Sequence, residues 1–421
     1  MSNQHILAID LGTGGPKVAL VDLRGRIVAH EVETSRTILT PPDGAEQDPH
    51  DWWRSISAAV KRLVADAPEA AASIAGIGVT AHWAGTVAVD AHGDPIGNAI
   101  IWMDSRGAPQ VAAAVGGRLN VMGYDPRRLK RWLQLTGGAP SHSGKDAIAH
   151  ILWLKSERPD VYAAAERFLE PADYLNLRLT GRAVSSHDCA VMLWLTDNRD
   201  RDSIRYDPQL LAWSGIDQAK LPPLVPSASV VGELLPAVAE EWGIAAGIPV
   251  ATAMGDMHAA VTGCGATRDH EPHLYLGTSS WLSFHMPGKR TDLRHNMAAL
   301  PSALPGKYFL ANEHEAAGAC LLHARDGLGL VDTLEELNDV AENAPAGSNG
   351  LIFLPWLNGE RTPVDDHTIR GGWTNLSLAH TRPDLLRSIL EGVAFNSRWL
   401  LQTVEAFTKQ FQVEINETVA D

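Results

Sequence analysis

The chain has 421 residues, more than a single hydrophobic core serves, and divides most naturally into two or three domains. Its 45% apolar and 20% charged residues describe a globular protein, which excludes a disordered chain. A net charge of −15 argues against nucleic acid as the main ligand, and no apolar run reaches a membrane span, because the best one, Ile74–Val89, is broken by His82 and several glycines.

In chain order, Ile6–Asp10, Val18–Asp22 and Ile27–Val32 are predicted strands, separated by Gly12–Gly15 and Arg24–Gly25, and so an antiparallel meander. The spacing of Trp52, Trp53, Ile56, Ala59, Val60 and Leu63 predicts a helix from Pro49 to Ala65. Ile74–Thr80 and Thr86–Val89 return as strands, the second entering a turn at Asp90–Gly93. Strands, a helix and further strands indicate an α/β domain. The middle reads as helical, over Ala147–Lys155 and Val161–Leu169 with Pro159 as the breaker between them. After the stiff Pro222–Pro226 stretch, Gly247–Met254 is a strand that opens a second strand-and-turn series. This sets the domain boundary near residue 245, giving domains 1–245 and 246–421. A last helix begins near Thr381, with Asp384 as a reciprocal cap and a stripe of Leu386, Ile389, Leu390, Val393, Leu400, Leu401 and Val404. The apolar runs before Gly12-Thr13 and Gly277-Thr278 suggest a coarse duplication, one turn per half.

Cys189, Cys264 and Cys320 are far apart and odd in number, which fits reduced cytoplasmic thiols better than a disulfide frame or a zinc site. The first ten residues lack the basic start, apolar stretch and cleavage site of a secretory leader. A cytoplasmic protein is the expectation.

Five segments invite a chemical reading. In Asp10-Leu-Gly-Thr-Gly-Gly-Pro-Lys17, a strand delivers a carboxylate into a turn where Gly12, Gly14 and Gly15 leave amides uncovered. Such amides can converge on phosphate oxygens with the Thr13 hydroxyl, and Asp10 suits a hard cation such as magnesium. The same residues also fit a plain hairpin capped by Asp10. The turn is neither a P-loop nor a dinucleotide fingerprint, since no Ser or Thr follows a Gly-Lys pair and no helix follows the glycines. Asp256, after Gly255, opens a helix as an N-cap, as a general base, or as both, and His258 reads as a packing residue. Gly277-Thr-Ser-Ser280 is another hydroxyl-rich turn but lacks the nucleophile elbow of a serine hydrolase, and His314-Glu lacks the second His of a zinc protease. Trp102-Met-Asp104-Ser-Arg106 ends a strand with a carboxylate and a guanidinium, which form a local ion pair or meet a polyhydroxylated ligand.

Together these segments resemble the FGGY carbohydrate kinases of the actin-like ATPase superfamily. The resemblance rests on Asp10–Thr13 with Lys17, Glu46–Trp53, Asn98–Arg106, Lys145, Ile151–Lys155, Pro171–Leu175, Gly255-Asp256, Gly277-Thr278, Phe353–Pro363 and Leu390–Phe395, in that order. It implies an α/β fold of two actin-like (ribonuclease H-like) domains around a central cleft, and ATP-dependent phosphorylation of a sugar or polyol hydroxyl. By resemblance Asp256 is the base and Asp10 positions Mg2+, while Gly12, Thr13, Gly14, Lys17, Gly277 and Thr278 cradle the phosphates of ATP. His82, Trp83, Ala84, Asp104 and Asp256 then face the sugar, and a homodimer through the second domain fits the pattern.

Xylulokinases are the most similar branch, yet they read substrate with Gln-Met-His where this chain has His82-Trp83-Ala84. Asn375 stands where the family's second signature usually has Gly. The chain stops at Val413–Asp421, about where a further strand and an adenosine-embracing turn are expected, so the second domain reads as incomplete. The competing readings are a catalytically impaired sugar- or phosphate-binding remnant and a chaperone-type ATPase of the same fold. The segments Trp102–Arg106 and Phe353–Pro363 disfavour the latter.

Overall fold

The computed structural model describes residues 4–292, 295, 297–364, 366 and 368–408. The ending Val413–Asp421, where a further strand is expected to begin, lies outside the described residues. The chain divides into two compact units, Met1–Ala260 with Leu300–Tyr308, and Val261–Ala299 with Phe309–Asp421.

In the first unit β1 (His5–Gly12), β2 (Gly15–Asp22) and β3 (Ile27–Val32) form the expected antiparallel meander, with Gly12 opposite Gly15. Leu7, Ile9 and Leu11 alternate into the core, as a half-buried strand requires. Helix α1 (Pro49–Asp66) starts where the Asp48 side chain accepts the His50 amide at 2.8 Å and Pro49 supplies a ready φ. Its buried face carries the six apolar residues that the spacing predicts. It packs under the meander with Tyr174 and Trp242 in the same core. Strand β4 (Ile74–Ala81) runs parallel to β1, and the short β5 (Val87–Val89) follows it.

The middle departs from expectation at one place. Helix α2 (Ala147–Glu157) forms, and Pro159 then opens α3 (Pro159–Ala164) at its first position, where a missing N–H costs nothing. The expected helix Val161–Leu169 does not continue. Arg167–Leu169 is a strand, β6, pairing with β5 with Val87 opposite Leu169. Burial of Phe168 and Leu169 against that partner outweighs a helical spacing only two turns long. Helix α4 (Pro171–Thr180) follows directly.

Strands β7 (Val230–Glu233), β8 (Pro249–Ala251) and β9 (Met254–Gly255) complete a seven-stranded sheet of order β7-β8-β4-β1-β2-β3, with β9 also pairing with β4. Val250 stands opposite Ile77 and Gly255 opposite Ala81, so the strands after residue 245 belong to the first sheet. The boundary expected near 245 therefore falls inside helix α5 (Asp256–Gly263), between Ala260 and Val261.

The second unit carries a five-stranded sheet of β10 (His273–Leu276), β11 (Ser280–Met286), β12 (Thr291–Asp292), β13 (Met297–Pro301) and β14 (Tyr308–His314), in the order β10-β11-β14-β13-β12. The β10–turn–β11 hairpin, with Leu276 opposite Ser280, repeats the form of β1–turn–β2. Helices α6 (Gly318–Leu322), α7 (Leu334–Ala341) and α8 (Arg382–Thr408) complete this unit, with Cys320, Leu337, Phe353, Leu386 and Ile389 in one core. The amide and hydroxyl of Thr381 both donate to Asp384 at 2.8 Å, which makes the expected cap. Asn375 takes φ 65°, the left-handed conformation that a glycine would otherwise supply.

Cys189, Cys264 and Cys320 are free thiols. Among the described residues no helix is long and apolar enough to cross a membrane.

Candidate functional site

The first unit gathers its chemical side chains at the ends of three neighbouring strands. Asp10 on β1 and Met254 on β9 both stand opposite Thr80 of β4, one from each side. Strand spacing then sets the Cα atoms of Asp10 and Met254 about 10 Å apart, two residues before Asp256. Asp256 is the first residue of α5, and its Oδ1 accepts the Met257 amide at 2.9 Å. Burial pushes the Asp256 carboxyl up to about 7. The Met257 amide works against this, the Asp10 charge adds to it, and the Lys17 ammonium opposes it. Lys17 Nζ lies 3.1 Å from Asp10 Oδ2 in an exposed ion pair. The structure thus brings Asp10, Lys17 and Asp256 within electrostatic reach of one another.

Of the three glycines in the turn between β1 and β2, only Gly14 is open. Gly14 has no neighbour within 4 Å of where a Cβ would stand. Gly15, at φ 137°, admits no side chain, because a Cβ would lie 2.1 Å from the Glu33 carbonyl. Thr13 is held from two sides. Gln47 Nε2 donates to its carbonyl at 2.8 Å, and Trp102 Nε1 donates to its hydroxyl oxygen at 2.9 Å. The Thr13 hydroxyl is therefore an acceptor toward Trp102, and its own proton points to another partner.

The His82–Trp83–Ala84 turn follows β4, where the His82 amide donates to the Leu11 carbonyl at 2.9 Å. The His82 ring is buried edge-on to Trp52, with centroids 5.6 Å apart. Burial lowers it to about 4, so it is neutral near pH 7. Trp83 lies on the Gly255 backbone, where a Cβ would meet its ring at 3.2 Å, and packs edge-on to His258 at 5.1 Å. This seats the indole one residue from the Asp256 carboxylate, while Ala84 takes the left-handed φ of 59°.

Asp104 forms the local ion pair with Arg106. It is buried, its Oδ2 accepts the Ala45 amide at 2.9 Å and Arg106 Nε at 2.8 Å, and its Oδ1 accepts the Arg106 amide at 3.0 Å. Protein donors meet both oxygens, so Asp104 braces Arg106 in the local ion pair that is one of the two readings of this segment. Arg106 in turn meets Glu46 at 2.6 Å and lies 3.9 Å over the Trp153 ring. In the second unit the Gly277 amide donates to the Ser279 carbonyl at 2.9 Å. The Gly277 and Thr278 carbonyls receive the amides of Gly318 at 2.8 Å and Ala317 at 2.9 Å.

Two residues escaped sequence reasoning. Gln47 is fully buried and ties Thr13 to the Trp52 indole, which donates to its Oε1 at 2.8 Å; its place in the Glu46–Trp53 segment was the available signal. Glu170 is buried and its Oε2 accepts the Gly85 amide at 3.0 Å, a link that no local pattern announces. Among the described residues no cluster of three or more His, Cys, Asp or Glu could hold a metal ion. What the site offers a hard cation is one accessible carboxylate, Asp10, with Asp256 close by. That donor set fits a magnesium ion carried on phosphates, which takes one or two protein carboxylates.

The N-terminal domain model of the FGGY family of carbohydrate kinases matches residues 5–263, and the C-terminal domain model matches residues 274–419. The xylulose kinase of Staphylococcus epidermidis (strain ATCC 12228) is 28% identical over 401 residues, covering 94% of this chain and 76% of that protein. The xylulose kinase of Escherichia coli (strain K12) is 29% identical over 391 residues, covering 92% and 76%. The crystal structure of xylulose kinase from Rhodospirillum rubrum superposes with a TM-score of 0.82 at 26% identity, covering 96% of this chain and 79% of that one. The two-domain actin-like, ribonuclease H-like α/β fold of these kinases is the fold of this chain.

Proposed function

Because the chain belongs to the FGGY family of carbohydrate kinases, phosphotransferases with an alcohol group as acceptor, we propose that Asp256 is its general base and the β1–β2 turn its phosphate site. The observation that carries this reading is the Asp256 carboxyl beside Asp10, at a strand end, with its proton affinity raised to about 7. A base of that strength takes a hydroxyl proton near neutral pH and passes it on to solvent. MgATP supplies the transferable phosphoryl group together with most of the charge neutralisation it needs. Asp10 is the carboxylate that would hold the magnesium. Lys17, the backbone at Gly12, the open backbone at Gly14 and the hydroxyl proton of Thr13 would hold phosphate oxygens. In the second unit Thr278 is the donor of choice, since the Gly277 amide is already committed to Ser279.

The acceptor is a small sugar or polyol. Xylulose kinases lead the relatives, but Trp83 beside Asp256 presents a flat apolar face and Ala84 presents no hydrogen-bonding side chain. This favours an acceptor with a C–H face to stack on the indole. Asp104 acts at one remove, by fixing Arg106 and the strand that carries Gln47. We further propose a cytoplasmic location, which the free thiols fit, and a homodimer; the net charge of −15 disfavours a nucleic-acid partner.

The test is magnesium-dependent ADP release by the purified chain with D-xylulose, D-gluconate or glycerol, with Asp256→Asn as the control. Acceptor-dependent release that disappears in the control supports the reading. Acceptor-dependent release that persists in Asp256→Asn removes the base, and none with any acceptor favours the impaired binding remnant.

A further inference from the structure

The turn that carries His82, Trp83 and Ala84 is anchored at both ends by strand bonds. The His82 amide donates to Leu11, and the Thr86 amide donates to Ile100 at 2.8 Å. Between these anchors Ala84 holds a left-handed φ of 59°, which a non-glycine residue keeps only where its surroundings impose it. The next residue, Gly85, is gripped from outside the turn. Its amide donates to Glu170 Oε2 at 3.0 Å, and a Cβ on it would lie 2.5 Å from the Pro171 ring and 3.4 Å from His82 Cε1.

Glu170 does nothing for its own helix, because its side chain makes no capping bond at the start of α4. It is buried, and it faces other acids without a compensating cation among the groups that act on it. Burial raises its carboxyl well above the usual range, and the charges of Asp173 and Asp146 raise it further. Asp173 is buried beside it, Asp188 acts on Asp173 in turn, and burial raises both in the same way. A leucine would fill such a place without desolvating an acid. What the carboxyl adds is an acceptor for the Gly85 N–H, eighty-five residues earlier in the chain, with the Ala84 N–H also acting on it.

We infer that Glu170 is a positioning residue for the acceptor: by holding the Gly85 amide it fixes the direction in which the His82–Trp83–Ala84 turn presents Trp83 to the sugar or polyol. The inference rests on the reading above, in which that turn meets the acceptor. A role in stability alone would lower melting temperature and leave kinetic constants in place. A positioning role raises the acceptor KM selectively.

The experiment uses the full chain and whichever of D-xylulose, D-gluconate and glycerol gives the highest kcat/KM. Glu170→Gln keeps an oxygen for the Gly85 amide and is expected to hold the acceptor KM within about two-fold of the parent. Glu170→Leu removes the acceptor atom and is expected to raise that KM by about ten-fold, with the ATP KM unchanged and kcat within about three-fold. Glu170→Met, closer in length, carries the same expectation should the leucine variant not fold. An unchanged acceptor KM in the folded Leu or Met variant overturns the proposal, as does an equal rise in both KM values. Trp83→Ala, run alongside, separates the premises. If it too leaves the acceptor KM unchanged, the turn does not meet the acceptor. If it alone raises that KM, the turn reads the acceptor but Glu170 does not position it.

Discussion

Trp102 and Thr13 are 89 residues apart in sequence and joined by one hydrogen bond, the indole N–H donating to the hydroxyl oxygen at 2.9 Å. The bond uses the Thr13 hydroxyl oxygen as an acceptor, which leaves its proton for the phosphate of the proposed site, and ties the turn to the Trp102–Arg106 segment. Trp102→Phe and Thr13→Val are each expected to lower kcat/KM by about ten-fold, and the double variant by little more than the worse single one. A double-mutant cycle of steady-state kinetics measures this. Fully additive losses would show that the bond carries no coupling.

The Asp256 carboxyl, pushed up to about 7 by burial, must be ionised to act as a base. kcat/KM is therefore expected to rise with pH through a midpoint near 7 and then level off. The neighbours set the direction of further shifts. Lys17→Met removes a charge that holds the midpoint down, so the midpoint moves up. Asp10→Asn removes one that holds it up, so the midpoint of its residual activity moves down. A pH profile flat between 5.5 and 8.5 would contradict the assignment.

The same group makes a stability prediction of opposite sense. A carboxyl whose folded-state affinity lies above its unfolded value contributes stability that is full below the unfolded pKa, near 4, and is lost as pH rises through the folded value of about 7. Asp256→Asn, neutral at every pH, escapes that loss. It is expected to melt higher than the parent at pH 8, by roughly 1–3 kcal/mol, with a smaller advantage at pH 5. Thermal melts at the two pH values decide it, and a variant less stable than the parent at pH 8 would show that the ionised carboxylate is not strained.

What the sequence discloses and what it conceals divide along a physical line. The meander, the α1 face and the Asp10 and Asp256 turns are local patterns, in which periodicity or glycine placement speaks within a dozen residues. Arg167–Leu169 was hidden because a three-residue strand has no period of its own and is defined by β5, eighty residues away. The boundary was misplaced because β8 and β9 look like a new beginning until their pairing with β4 is seen. Glu170 before Pro171 reads as an ordinary helix start, and only the fold puts Gly85 against it. Asp104 carries the clearest lesson. Its residue type and motif suit a ligand or an ion pair, and only its surroundings reveal the bonds to Arg106 and the Ala45 amide.

That last point can be tested on its own. A ligand carboxylate and a brace differ in what their loss disturbs. Asp104→Ala leaves the Ala45 amide without its acceptor and the half-buried Arg106 with Glu46 alone, at 2.6 Å. Removing one partner of a buried, hydrogen-bonded ion pair typically costs about 3–5 kcal/mol, so a large drop in melting temperature is expected. The fraction that folds should keep an acceptor KM within about three-fold of the parent, because the proposed base and phosphate turn sit at the ends of β9 and β1 and not at Asp104. Asp104→Asn keeps an oxygen for the Ala45 amide but loses the charge opposite Arg106, and should fall between the two in stability. A variant of unchanged melting temperature with an acceptor KM raised a hundred-fold would return Asp104 to the ligand and overturn the brace.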